Sequence, residues 1–361
     1  MIPYFTEQYG NAASNHEFGV HINQQVKAAR ASVARLIGCN TQEVIFTSGA
    51  TESLNMALKG LVEMNQDRRH IITVKTEHKA VLDVCKYLEQ KGCNITYLSV
   101  DSEGLIDLKA LRQHLTNQTL VVAVMLVNNE TGVIQPLKDI AELAHQYGAY
   151  VMSDATQAVG KMPVNVNELG VDLMAFSAHK FYGPMGIGGL FVRSRRPYRV
   201  KISAIQHGGG HERNMRSGTL NVPGIIGLGK ASELALEEMK DDAKRIGTLR
   251  DAMELELLNI SNTFINGSLE NRLYNVSNIC FVGADADAMI VGLNGIMLSN
   301  GSACTSTSIE PSHVLTAMGL SEENAYSCLR ISLGRQSTKW EVQEAVNQII
   351  SIVNELKGFV N

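Results

Sequence analysis

The chain has no Cys-x-x-Cys pair, and its six cysteines (39, 85, 93, 280, 304 and 328) show no ligand-like spacing with histidine. That excludes the common zinc-ribbon patterns and argues for a reducing compartment over a disulfide scaffold. No long basic run appears, and the formal net charge is −4, so there is no electrostatic footprint for nucleic acid. The first residues, Met1-Ile2-Pro3-Tyr4-Phe5-Thr6-Glu7, lack the basic stretch and apolar core of a signal peptide. The longest apolar run, 120–127, is far shorter than the roughly 20 residues that span a bilayer. Repeats and low-complexity segments are missing, and no Gly-x-Gly-x-x-Gly follows the early strands, which removes a dinucleotide-binding module. A cytoplasmic protein without membrane or nucleic-acid partner is expected.

What is present suits an enzyme. With 361 residues, 45% hydrophobic and 19% charged, the chain can bury a large core and divide into two domains. Apolar runs of strand length occur at 43–47, 70–74, 94–99, 119–127, 149–153, 171–177 and 189–193. Helical periodicity lies between them at 22–37, 51–64, 78–91, 107–115 and 137–147. Strands alternating with helices predict an α/β fold, a mostly parallel seven-stranded sheet covered on both faces. From 224 to 258 one amphipathic stretch, with room for a break at Gly247, leads into a smaller α+β carboxy-terminal domain. The boundary is placed near 240, giving a large domain 1–239 and a small domain 240–361.

The chemistry concentrates in three places. Asp154 follows an apolar run and should sit at the carboxyl end of a buried strand, where α/β sheets gather ligand groups. Lys180 follows a second run, 171–176, in Ser177-Ala178-His179-Lys180, ahead of the glycine-rich stretch 183–189. Cys304 stands among Ser, Gly, Ala and Thr, a composition that suits a loop, whereas the other five cysteines read as ordinary core or surface residues. Alone, Asp154 reads as a helix cap and Lys180 as a solvated lysine. Together, an acid, an amine and a thiol in this order suit pyridoxal phosphate (PLP): the amine forms its Schiff base, and the carboxylate keeps its ring nitrogen protonated. Gly49-Ala50-Thr51, at a strand–helix junction, can bind an anion through helix amides and the Thr51 hydroxyl, or be an ordinary turn.

The runs TSGATES (47–53), TEHKAVLD (76–83), NNETG (128–132), SDATQAVGK (153–161), SAHKFYGPMGIGG (177–189), RSGTLNVPGI (216–225) and SNGSACTS (299–306) span nearly the whole chain. In identity and order they resemble those of cysteine desulfurases of the NifS/IscS type, of the class-V aminotransferase family. The resemblance implies PLP fold type I, like aspartate aminotransferase. It implies that L-cysteine becomes L-alanine while its sulfur passes to Cys304 as a persulfide. The sulfur then goes to an acceptor, an iron–sulfur scaffold or another sulfur carrier. By the same resemblance Lys180 carries the cofactor and acts as base, and His78 stacks on the ring and assists proton transfer. Asp154 and Gln157 address the ring nitrogen and phenolic oxygen. Ala50, Thr51, Ser177, His179 and the partner subunit's copy of Thr219 address the phosphate, which implies a homodimer. Asn129 serves cofactor and substrate, and Arg330 grips the substrate carboxylate. No resident metal is implied, though Cys304 is placed to hold an iron–sulfur group in passing. Selenocysteine lyase and other fold-type-I enzymes stay open as alternatives.

Three departures stand out. The family's usual opening, like Tyr-Leu-Asp-Asn-Ala-Ala-Thr-Thr, does not precede the stretch 4–10, and that piece is expected to pack near the active site. His211 stands where glutamine is common, in His207-Gly208-Gly209-Gly210-His211, which reads as a loop and not a metal site. The chain ends soon after the helix expected at 340–356, without the extension some members use to dock scaffolds.

Overall fold

A computed structural model describes residues 1–301 and 310–358. Cys304 lies outside the described residues. By internal contacts the chain forms two compact units. The first comprises 1–98, 108–126 and 136–239, and the second 99–107, 127–135 and 240–361.

The first unit is built on a seven-stranded sheet. Its strands are β1 (Val44–Thr47), β2 (His70–Val74), β3 (Asn94–Leu98), β4 (Thr119–Ala123), β5 (Tyr150–Asp154), β6 (Leu173–Ser177) and β7 (Gly188–Val192). The order is β1-β7-β6-β5-β4-β2-β3. β6, β5, β4, β2 and β3 run parallel, while β7 is antiparallel to both β6 and β1. The central strands are buried along their full length, as a sheet covered on both faces requires. Helices Ala50–Met64, Lys79–Gln90, Leu108–His114 and Leu137–Gln146 link successive strands. The Ala50–Met64 helix packs Leu54, Leu58 and Leu61 into a core shared with Ile45, Ile71, Val121 and Leu173.

The strand expected at 119–127 ends at Ala123. The buried run continues beyond it, with Val124 and Leu126 donating amide hydrogen bonds to the carbonyls of Met152 and Asp154. The break allowed at Gly247 does not occur: one helix runs Val222–Leu257. A glycine costs a helix interior only about 1 kcal/mol, which packing of Ile246, Met253 and Leu257 outweighs.

The second unit holds a three-stranded antiparallel sheet, β8 (Thr263–Ile265), β9 (Val276–Phe281) and β10 (Cys328–Ser332), in the order β10-β9-β8. Helices Ala286–Gly292 and Lys339–Gly358 accompany it, and Met253, Leu257, Ile279, Leu329, Ile349 and Val353 meet in its core. Among the described residues no helix is long and apolar enough to cross a membrane.

Candidate functional site

In the first unit the carboxyl ends of the parallel strands collect the candidate groups. Asp154 is the last residue of β5, buried, and its Oδ1 accepts the amide of Thr156 at 2.9 Å. Gln157 follows in the same turn. Its Oε1 accepts from Lys161 Nζ at 2.7 Å, so the amide nitrogen is what it offers a ligand, a donor suited to a phenolate.

Ser177 ends β6, and its buried hydroxyl accepts the amide of Ala50 at 2.8 Å. One side chain thus ties the end of β6 to the first turn of the Ala50–Met64 helix. Gly49, at φ 155°, enters that helix, and a Cβ there would stand 3.3 Å from Ser177 Oγ. A Cβ on Gly188 would stand 2.7 Å from Gly49 Cα, so β7 closes on this junction only as glycine. Thr51 is exposed one residue farther along. A helix N-terminus edged by two hydroxyls is suited to phosphate.

Ser177 also precedes the short 3-10 turn Ala178–Phe181 without a side-chain cap bond to it, and Tyr182 closes that turn in the left-handed region at φ 67°. On that turn Lys180 and His179 are exposed while Ala178 and Phe181 are buried. Desolvation, then the neighbouring Lys180 charge, lowers the His179 pKa, so its imidazole is neutral near pH 7. His78 is half-buried and caps the Lys79–Gln90 helix, its Nδ1 accepting the Ala80 amide at 3.0 Å. That fixes the neutral ring's proton on Nε2. Thr219 is exposed, in a segment where the Gly218 amide reaches His211 Nδ1 at 3.3 Å and Arg216 pairs with Glu52 at 2.7 Å.

The second unit holds the other two candidates. Arg330 lies on β10, paired with Asn278, and its Nη1 donates to the Asn129 carbonyl at 3.1 Å. The Asn129 side-chain oxygen is buried without a hydrogen-bond partner among the described residues. The same holds in the first unit for Thr156 Oγ1, beside Asp154. Buried polar atoms are rarely left so, and each is an opening for a ligand atom. The donor set around Ser177, the exposed Lys180 amine and the buried Asp154 carboxylate fit PLP: phosphate, aldehyde and ring nitrogen each find a group of matching chemistry.

Sequence reasoning passed over two buried acids. Glu77, beside His78, accepts the Met125 amide at 2.5 Å. Glu130, beside Asn129, accepts the Ser312 hydroxyl. Each stands in a quoted motif, next to a residue that drew all the attention. A glutamate at the end of an apolar strand was the available signal.

Comparison with known proteins sets this geometry in context. Residues 1–345 match the family model "Aminotransferase class-V". The chain is similar to a cysteine desulfurase IscS of Rickettsia akari (strain Hartford), 47% identical over 360 residues, covering 99% of this chain and 87% of that protein. Among solved structures, a NifS-like protein superposes with a TM-score of 0.91 at 38% identity, covering 98% of this chain and 94% of that one. SspA, solved in complex with cysteine, matches with a TM-score of 0.80 at 34% identity over 92% of each chain.

Proposed function

The chain belongs to the class-V aminotransferase family, and on that footing we propose that it is a PLP-dependent cysteine desulfurase, taking L-cysteine to L-alanine and leaving the sulfur on Cys304. The observation that carries this reading is the Ser177–Ala50 bond at 2.8 Å with Lys180 three residues on. It ties the strand end that leads into the Lys180 turn to a helix N-terminus suited to an anion. Relatives named cysteine desulfurase and a relative solved with cysteine support the substrate.

Bound PLP supplies an electron sink for the carbanion formed at the substrate Cα. Ala50, Thr51, Ser177 and His179 would hold its phosphate, Lys180 its aldehyde carbon, Asp154 its ring nitrogen and Gln157 its phenolic oxygen. Arg330 takes the substrate carboxylate in a bidentate fork, helped by Asn129. Lys180 would accept the proton from the substrate Cα. His78 presents Nε2 for proton transfer, because Nδ1 is engaged by Ala80. The Cys304 thiolate forms a bond to the substrate sulfur as the Cβ–S bond breaks. The electron pair of that bond stays with the carbon skeleton, which takes up protons to become alanine. Cys304 then carries the persulfide to an acceptor protein, an iron–sulfur scaffold or another sulfur carrier. The reaction takes place in the cytoplasm, on a homodimer.

Purified protein should be yellow, and borohydride should fix the cofactor onto Lys180, read by peptide mass. Cys304→Ala should keep the cofactor and its spectral response to L-cysteine, yet lose nearly all alanine and sulfide turnover. Colourless protein that takes up no added PLP removes the reading. Full turnover by Cys304→Ala moves the nucleophile elsewhere and favours a lyase without a protein persulfide.

A further inference from the structure

The turn that follows β5 carries more than Asp154 and Gln157. Its first amide, that of Ala155, donates to the Ala175 carbonyl of β6 at 2.9 Å. The turn then winds on itself: the amides of Ala158 and Val159 reach the Ala155 carbonyl, each at 2.9 Å, and the Lys161 amide reaches the Ala158 carbonyl at 3.0 Å. Ala155, Ala158 and Val159 are fully buried, which leaves this backbone little room to move. Gly160 sits in the left-handed region at φ 77°, and a Cβ there would stand 2.5 Å from the Phe181 Cβ. Only glycine lets the chain pass so close to Phe181, the last residue of the turn that bears Lys180. The residue before Lys161 and the residue after Lys180 thus lie against each other.

Lys161 is half-buried, and nothing in the chemistry above employs it. Its Nζ donates to Gln157 Oε1 at 2.7 Å, four residues back along the turn. An ammonium can only donate, so Gln157 must meet it with oxygen, since the reverse orientation would set donor against donor. The amide then has one way round, with Nε2 as the group left to a ligand. A cation on the oxygen also polarises the amide and makes Nε2 a stronger donor.

We propose that Lys161 is the positioning residue for Gln157. It holds the amide by its oxygen, keeps Nε2 for the phenolic oxygen of the cofactor, and touches neither cofactor nor substrate. The proposal rests on the PLP reading above. A lysine that merely fastens the turn predicts lower stability with the properties of the bound cofactor intact. A positioning lysine changes the cofactor itself. Without it the amide can rotate, and the phenolate keeps its donor only part of the time. An ionised oxygen that loses a donor, with a cation removed from its neighbourhood, binds protons more tightly. The pH midpoint of the cofactor's visible absorbance must then move up.

The test uses full-length protein, stripped of PLP and reloaded, as wild type, Lys161→Met, Lys161→Arg, Gln157→Ala and the double variant Lys161→Met, Gln157→Ala. Asp154, His78, His179 and Lys180 are the same in all of them, so differences report positions 157 and 161. Two quantities are read: the dissociation constant of PLP by fluorescence titration, and the pH midpoint of the visible band. Lys161→Met should raise the midpoint by about half a unit or more and weaken PLP about three- to tenfold, the range of one hydrogen bond. Lys161→Arg, which keeps the donor, should stay close to wild type. In the Gln157→Ala background Lys161→Met should shift the midpoint less than half as far, because the group it acts through is gone. An unchanged midpoint in Lys161→Met overturns the proposal, as does an equal shift in both backgrounds, which would show the lysine acting by charge alone. Should Lys161→Met misfold, Lys161→Ala serves the same comparison. Wild-type behaviour of Gln157→Ala overturns the proposal while leaving the cofactor reading intact. Wild-type protein that takes up no PLP defeats that reading, and the proposal with it.

Discussion

Glu77 is a carboxyl that the fold makes harder to ionise. Burial drives its pKa well above the usual range, the Met125 amide pulls it partly back, and the nearby Asp154 charge raises it again. The direction of that shift favours the uncharged acid at Glu77 over a second carboxylate close to Asp154. The consequence for stability has a definite sign. Unfolded, Glu77 ionises above about 4.5, so the stability due to its proton is complete below that value and falls as pH rises toward the folded pKa. Glu77→Gln accepts the same amide and cannot ionise, so it should gain on wild type as pH rises above about 4.5 toward the folded pKa, as measured by urea unfolding. Glu77→Ala deprives the Met125 amide of this acceptor and should cost about 1–3 kcal/mol throughout. A constant deficit for Glu77→Gln at every pH would mean that the folded group is ionised. Lys180 and Asp154 were legible because chemistry and chain order together single them out. Glu77 and Glu130 were not, since what marks them is burial, and burial is decided by distant segments.

At the level of elements the sequence reads well where one physical rule decides. Strands buried on both faces become apolar runs, as β4 and β6 do, and all seven strands of the large sheet fall within a few residues of where they are expected. Strand direction is another matter: an apolar run carries no arrow, so antiparallel β7 was invisible. Helix 222–257 shows the reverse error, where local propensity suggested a break that packing overrides. The joining of elements by side chains is equally illegible, and Arg216–Glu52 is the instructive case. It fastens the 216–219 segment to the first turn of the Ala50–Met64 helix, the turn assigned to phosphate. Burial alone would raise the Glu52 pKa, but hydrogen bonds from Arg216 and Ser48 outweigh it and leave it below the ordinary 4.5. A depressed folded pKa means stability present above 4.5 and lost as pH falls through the folded value. Glu52→Gln should therefore cost about 1–2 kcal/mol at neutral pH and progressively less in acid. Thermal melts at pH 7 and pH 4 check this, and equal deficits at both would show that the ion pair contributes nothing.

On the scale of the whole molecule, a boundary drawn at one point in sequence meets a unit drawn by contacts. Segments 99–107 and 127–135 belong with the second unit although the chain around them builds the first. Asn129 and Glu130 travel with the second of these, which no linear pattern announces. Assembly is one step further from the sequence, and Thr219 is where it can be tested. Its side chain is exposed in its own chain, as a residue serving a partner's phosphate should be. If it does so, cofactor affinity and dimerisation are coupled. Thr219→Ala removes one donor to a charged phosphate, worth roughly 1.5–3 kcal/mol, so PLP affinity should fall about ten- to a hundredfold at ~1.4 kcal/mol per decade. Because ligand binding to the dimer also stabilises it by mass action, wild-type dimer should dissociate more readily once PLP is stripped, and the variant should show a smaller difference between loaded and stripped protein. Sedimentation beside cofactor titration measures both quantities on one sample. A stable monomer that binds PLP as tightly as any larger species would place every phosphate contact within one chain and end the shared-site assignment of Thr219.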